Sequence, residues 1–440
     1  MTLYDFSREI NNLNKLKRYE EALHYFKENK HQFDSEEIAD NPFVIGSILS
    51  SLRKTGQAKY IDTFLKQYQI QINESTQDMI LTAYGWGLYE MVKSGQYTKQ
   101  MILQVLKYPI YLLFLRESVY SYSVISNLFS LGLKKAKEHT NQDFLFTNDY
   151  CDLFDPDKLS SEPNVFEFDG KRTESASDSE KWYSEKSKAL FELKKFEMCY
   201  ELSNKALHTI KKFHSNNNVW FTRRMALSQK ELGNLDVAIE KLTEVYRDKK
   251  EWFIQKEIAE LYFEKGEIES AAKNCIEALN TRTPVEFKVG LILLMGKILK
   301  SRGETLLTQK HFLLDKMIRE DKGWKVSDEV LYETGSIEGG VIRKDLQREL
   351  INYWRKQIPK EKIYIGVVKK ILHDNQKGKD GFIVSEGEDF YFTLPSHVKW
   401  AGSVQKGIQV EFEIFDLPDG RQKARILKIT QTADKLKLFQ

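Results

Sequence analysis

The sequence predicts a multidomain α + β protein: a long array of antiparallel helix pairs followed by a small five-stranded β-barrel. Three observations predict it. A glycine-marked unit recurs along most of the chain, with a clear offset of 33 residues between two of its copies. Helical spacing of apolar residues stops at Pro359. Beyond it, short alternating apolar runs separated by Gly/Asp turns take over.

At 440 residues the chain is too long for one ordinary core, so two or three units are expected. It is 41% hydrophobic and 30% charged with a net charge of +3, so any affinity for nucleic acid must come from a local patch. Cys151, Cys199 and Cys275 lie far apart, with no CxxC or Cys/His spacing for zinc; each reads as a small apolar filler in a reducing cytoplasm. The charged opening MTLYDFSREINN lacks the apolar core of a signal peptide, and YPIYLLFL at 108–115 is too short to span a bilayer. A cytoplasmic protein without membrane contact is expected.

The repeat is clearest in KELGNLDVAIEKLTEV (230–245) and FEKGEIESAAKNCIEAL (263–279). Superimposed, they place Gly233 on Gly266, Leu235 on Ile268, Ala238 on Ala271 and Val245 on Ala278. The scheme continues backwards through Phe196, Cys199 and Ala206, and forwards to Gly303. Near the N-terminus Tyr19, Ala22 and Phe26 repeat it, with Gly56 and Gly95 as further turn positions. A glycine ends the first helix of a pair in a left-handed conformation, a small residue lets the second approach, and the leftover apolar face needs the next pair to cover it. On these residues the chain resembles tetratricopeptide repeats, which implies a degenerate TPR-like α-solenoid.

Residues 1–145 form the first helical region and 181–358 the second. Between them 146–180, rich in Asp, Ser and Glu with two prolines, reads as an irregular linker in which NVFEF adds at most a short extended piece. Helix restarts at DSEKWYSEKSKAL, capped by Asp178 or Ser179. After a TGSIEGG loop, a last amphipathic helix bearing Val341, Leu346, Leu350, Tyr353 and Trp354 caps the array. The strongly apolar YPIYLLFLRESVYSYSVISNLF (108–129) reads as inner helix.

From Lys362 the runs KIYIGVVKKIL, GFIVS, DFYFTL, VEFEIF and KARILKI predict five strands closing a barrel over 362–430, with 431–440 as a tail. Alternation puts Phe390 and Phe392 inside. Gly366-Val367-Val368-Lys369, Gly381-Phe382-Ile383, Asp389-Phe390-Tyr391-Phe392, Gly407 to Phe412 and Ala424 to Leu427 occur in the order of the cold-shock motifs, so this unit resembles the cold-shock domain, an OB-fold barrel. The resemblance implies that Phe382 and Tyr391 stack on bases, that Lys369 contacts phosphate, and that Lys370, Lys377, Lys379 and Lys399 add charge. It also marks departures: Lys370 stands where the family has an exposed Trp, Ile371 for a Phe, Asp380 for an aromatic and Thr393 for a His. With these stacking positions lost, weaker binding than that of a typical family member, or a different ligand, is expected, and 13 Lys/Arg against 10 Asp/Glu in residues 362–440 leave the unit only mildly basic.

No P-loop, GxSxG, HExxH or strand-borne GxGxxG occurs. The R-x5-H spacing of Arg18 and His24, similar to a pair used by one class of nucleases, lies inside a repeat that already explains its segment, and the acids of EGEDF fit a solvated hairpin. The expectation is a non-enzymatic scaffold without cofactor or metal, holding a protein partner on its repeats and single-stranded RNA or DNA on its barrel. The pairing resembles accessory proteins of bacterial conflict and anti-phage systems. Two other readings stay open: a peptide-sensing repeat regulator, with an Asn- and acid-lined groove, and an adaptor whose barrel contacts only protein.

Overall fold

A computed structural model describes residues 1–138, 142–335, 340–358, 363–398, 400–416 and 421–431. The chain divides into two compact units, Met1–Arg343 and Lys344–Gln440.

The first unit is a helical-repeat array. Its helices run in consecutive pairs: Leu3–Lys15 with Tyr19–Asn29, Pro42–Lys54 with Ile61–Gln67, Asp78–Lys93 with Lys99–Leu115, and Val119–Ala136 with Phe144–Cys151. Then follow Asp178–Glu192 with Phe196–Thr209, Asn217–Glu231 with Leu235–Asp248, Trp252–Glu264 with Ile268–Leu279, and Val289–Ser301 with Thr305–Lys322. The turns within the pairs repeat one piece of chemistry. Gly56, Gly95, Gly233, Gly266 and Gly303 all take φ between +73° and +84°. At Gly233 the N–H donates to the Lys230 carbonyl (2.9 Å) and the next N–H to that of Gln229 (2.9 Å), and Gly266 and Gly303 repeat this pairing. It satisfies carbonyls that the helix end would otherwise leave bare. Three pairs lack the glycine, and in two of them Lys17 (φ 60°) and Lys194 (φ 58°) adopt the same left-handed turn with the same two hydrogen bonds. An L-residue with a Cβ pays about 1–2 kcal/mol for that conformation.

Small residues follow several of the turns. Ala22, Ala238 and Ala271 are fully buried, and Cys199 fills the equivalent place, its thiol donating to the Ser187 carbonyl at 3.2 Å. Neighbouring pairs are then stitched at one-repeat spacing. Arg223 grips Glu257 (Nε–Oε2 3.0 Å), Lys230 meets Glu264 (2.8 Å), Arg302 meets Glu269 (2.6 Å) and Lys300 meets Glu333 (2.6 Å). Such partly exposed pairs are worth about 0–1 kcal/mol each, so they set register more than they supply stability.

The insert between the two helical regions is not an irregular linker. Asn164–Phe168 (β1) and Lys171–Ser175 (β2) pair as an antiparallel hairpin, and Asp169 and Gly170 turn between them with φ of 51° and 69°. Asp-Gly is a strong signal for such a turn, because both central residues need positive φ. One apolar cluster also runs from Phe6 to Phe221 across the insert, taking in Phe146, Tyr150, Cys151, Phe154 and Leu159. Trp182 Nε1 donates to the Cys151 carbonyl (2.8 Å), and the buried Lys186 ammonium reaches the Asn148 carbonyl (2.9 Å) and Asp152 (2.7 Å). An acid at the start of the next helix ties the insert down: Glu180 is fully buried, accepting from the His214 backbone and from Asn217 (2.8 Å each) and lying 2.8 Å from His214 Nδ1. The helix that follows is capped by Ser177, one residue earlier than expected. The segment 108–129 does supply core helix, with Ile110, Leu112, Leu113, Val124 and Ile125 buried.

In the second unit, Arg343–Gln357 is helical and buries Leu346, Leu350 and Trp354. Val341 precedes this helix and is exposed. The chain's division groups the helix with the barrel, whereas the sequence closed the repeats with it. The TGSIEGG loop lies largely outside the described residues. The barrel strands are Tyr364–Asn375 (β3), Gly378–Ser385 (β4), Glu388–Pro395 (β5), Gln409–Asp416 (β6) and Gln422–Gln431 (β7). They close in the order β3-β4-β5-β7-β6, with β5 and β7 parallel and the other pairs antiparallel. Val368, Ile383, Phe390, Phe392, Val410, Phe412 and Ala424 fill the interior. No helix among the described residues is long and apolar enough to cross a membrane, and no group of three or more His, Cys, Asp or Glu there could hold a metal ion.

Replacing Lys194 with glycine should stabilise the protein by about 1 kcal/mol, and Gly233→Ala should destabilise it by about the same, read as opposite shifts of the thermal midpoint. Burial pushes the His311 imidazole from an ordinary 6.5 down to about 4. The unfolded chain therefore takes up a proton that the folded one refuses, and stability falls as pH drops from about 6.5 to about 4. The contribution is roughly 3 kcal/mol, and denaturation of His311→Gln should show a flatter acid limb than wild type. Burial also drives the Cys151 thiol up to about 12 and raises Cys199 and Cys275. All three should resist thiol reagents until urea opens the fold.

Candidate nucleic-acid interface

The outer wall of the barrel is built by two hairpins and one irregularity. β4 and β5 join through Glu386 (φ 52°) and Gly387 (φ 89°), a two-residue turn that fixes their register. Phe382 then faces Tyr391 across the pair, while Ile383 and Phe390 turn inward. On the other side, β3 carries a bulge. Val368 pairs with Ile383 and Lys370 with Phe382, so Lys369 is the extra residue. Two consecutive lysines are thereby exposed on a strand that alternates up to Val368. Gly381 makes the bulge possible, since a Cβ there would run into the Lys370 carbonyl oxygen.

Across β5, Tyr391 pairs with Lys423 of the parallel strand β7. One rung of the sheet therefore reads Lys370, Phe382, Tyr391, Lys423 over four adjacent strands. The two rings are half-buried and meet edge-on, with centroids 5.6 Å apart and planes at 61°. The Lys423 ammonium sits 5.4 Å from the Tyr391 ring centre. Burial, with a smaller push from the Asp380 carboxylate, raises the Tyr391 hydroxyl above its ordinary value, so it remains a hydrogen-bond donor. Lys370 and Lys377 are exposed, and neither their ammonium groups nor that of Lys423 form an ion pair or hydrogen bond with another described residue.

The other predicted cations stand differently. Lys369 is exposed but held by Asp389 at 2.6 Å. Lys379 does not join the rung. Its ammonium donates to the carbonyls of Gly402 (3.3 Å) and Val404 (3.1 Å), lies 3.1 Å from Asp374, and its side chain is only 12% exposed. It fastens the 401–404 turn rather than offering charge to a ligand. Lys399 lies outside the described residues. Asp380, which replaces a family aromatic, meets His373 Nδ1 at 3.0 Å. Lys423 is the residue that sequence reasoning missed. It lies 32 positions beyond Tyr391, and only the parallel β5–β7 pairing brings it alongside. The alternation of Lys423, Ala424, Arg425 and Ile426, with Ala424 and Ile426 buried, was the available signal.

Elsewhere, Arg18 and His24 each pair with an acid of the helix Tyr19–Asn29, Glu21 (Nε–Oε1 2.6 Å) and Glu28 (2.9 Å), and both are exposed.

No family model matches the chain, and no curated protein matches its sequence. Among solved structures, it is similar to BtubC from P. vanneervenii, at 14% identity and a TM-score of 0.32, over 60% of this chain and 96% of that one. It is also similar to the human IFIT1 dimer with m7Gppp-AAAA, at 15% identity and a TM-score of 0.33, over 81% of this chain and 87% of that one. Likenesses at this level say nothing about what this chain binds.

Proposed function

We propose that the protein is a non-enzymatic cytoplasmic scaffold whose cold-shock-like barrel binds single-stranded nucleic acid, RNA in preference to DNA, while its helical repeats hold a protein partner. The observation that carries the first half is the rung Lys370, Phe382, Tyr391, Lys423. Two ring faces offer stacking surface to unpaired bases, and an unpaired ammonium stands at each end for the flanking phosphates. The second and third strands of such barrels are a recurrent oligonucleotide-binding face, and here they supply both rings. Mixed charge makes the affinity modest: Asp389 neutralises Lys369, and Asp380 adds a negative charge beside the rings. A role as an accessory component of a bacterial conflict or anti-phage system is the setting we propose, and it rests on the domain pairing alone. Joining the two halves raises the concentration of a partner near a bound strand.

Fluorescence anisotropy of the full chain with labelled poly-U and poly-dT at two salt concentrations tests this. Binding should weaken with salt at a log–log slope of about −1.4, for two ammonium groups at about −0.7 each. Each lost stack is worth about 1–3 kcal/mol, so Phe382→Ala with Tyr391→Ala should weaken binding at least tenfold. Wild-type affinity in that double variant refutes the site. Asp389→Asn frees Lys369 and should tighten binding while steepening the slope by about 0.7.

A further inference from the structure

Three packed helices, Asp178–Glu192, Phe196–Thr209 and Asn217–Glu231, enclose a polar cluster inside the first unit. The Cys199 thiol donates to the Ser187 carbonyl at 3.2 Å and lies beside the hydroxyls of Ser203 and Ser228 and the guanidinium of Arg224. Cys199, Ser203 and Ser228 are fully buried. Four positions after the small residue of a repeat, Phe26 and Leu242 fill the core, whereas Ser203 stands at that place here. A position that elsewhere holds a large apolar side chain is thus given to a hydroxyl.

The donors gathered there have no partner within the protein. Nε and Nη2 of Arg224 and the Oγ atoms of Ser203 and Ser228 are buried, and none hydrogen-bonds another described residue. Helical serines usually return the hydroxyl to a carbonyl of the preceding turn, as Ser187 does to Tyr183 (2.7 Å). Buried polar groups in folded proteins are overwhelmingly paired, so four unpaired donors in one place point to an occupant.

The guanidinium decides its class. Nε and Nη2 form the edge with which Arg223 grips Glu257 and Arg302 grips Glu269, each time through two carboxylate oxygens. Arg224 turns the same edge inward, where no acid meets it. Glu185, whose charge reaches it, is held by Lys137 (2.6 Å) and Gln142 (2.9 Å). The contact Arg224 does make is with the Phe221 ring, 4.8 Å from the ring centre. Burial lowers the guanidinium to about 10, so it keeps its charge at neutral pH. A buried cation without a counter-charge destabilises the fold until an anion balances it. The edge takes two oxygens, and the two hydroxyls stand ready for a third and a fourth, which a tetrahedral oxyanion has and a carboxylate lacks.

We infer that Arg224, Ser203 and Ser228 bind a free tetrahedral oxyanion, phosphate or sulfate, between these three helices, where it braces two successive repeats. The enclosure favours the free ion over a phosphate ester. The site is separate from the barrel and does not depend on what the barrel binds.

The test uses the full chain. Ion chromatography after heat denaturation reads any phosphate or sulfate carried through purification. Thermal unfolding during titration with either ion, at an ionic strength held constant with sodium chloride, reads uptake. Wild type should release close to one oxyanion per chain or show a saturable rise of its midpoint. Arg224→Met should do neither. It should keep the native circular dichroism and unfold no lower than ion-free wild type, since it removes an unbalanced buried charge. Ser203→Ala should need roughly tenfold more ion for the same shift. Lys423→Ala should respond as wild type does, which separates this site from the barrel. Neither release nor uptake by wild type overturns the inference, and so does a response that survives in Arg224→Met or is unchanged in Ser203→Ala. An equal rise with chloride alone overturns the oxyanion, and AMP matching phosphate overturns the enclosed free ion.

Discussion

A left-handed residue joins the two helices of a pair, and the first unit is organised around it. Its N–H and that of the next residue turn back to the last helical carbonyls, so the chain reverses within a few residues without leaving backbone groups bare. The reversal brings a small residue, Ala22, Cys199, Ala238 or Ala271, against the preceding helix, and that close approach sets the face the pair presents to its neighbour. Lys17 and Lys194 show that the constraint is conformational rather than compositional. Packing against the neighbouring pair holds these turns against their intrinsic strain, as expected of a structure stabilised by nearest-neighbour interfaces.

The polar stitches between pairs explain how an array with irregular spacing keeps register. Arg223–Glu257 and Lys230–Glu264 link successive repeats at an interval of 34 residues, and Arg302–Glu269 at 33. Where the interval is disturbed by the β1–β2 insert, the linkage becomes internal. Glu180 is sequestered by His214 and Asn217, and the buried Lys186 is satisfied by a carbonyl and a carboxylate. Buried charges that are fully partnered cost a structure much if one member is removed, which makes this junction a rigid part of the unit.

In the barrel the corresponding constraint is the bulge at Lys369, between the Val368–Ile383 and Lys370–Phe382 rungs. Without it, strict alternation would aim Lys370 inward and separate it from Phe382. The bulge restores Lys370 to the outer face and exposes two lysines in succession, one neutralised by Asp389 and one left free. The surface is thus aromatic at its centre and cationic at its two ends, with Asp389 engaged by Lys369 and Asp380 lying beside the rings.

The sequence by itself determined the helical array, the five strands and their order along the chain, the glycine turns and the inward alternation of Phe390 and Phe392, because all are local or periodic properties. It also brought Phe382 and Tyr391 together, since a two-residue hairpin leaves their pairing no freedom. Tertiary structure alone decided the rest. Lys423 reaches Tyr391 through a parallel pairing between strands that are not consecutive, and Lys379 is withdrawn from the surface by carbonyls more than 20 residues away. The burial of Glu180 was not legible because it depends on His214 and Asn217, partners over 30 positions distant. A cavity beside Asn11 likewise draws on four helices and becomes visible only once those helices are placed.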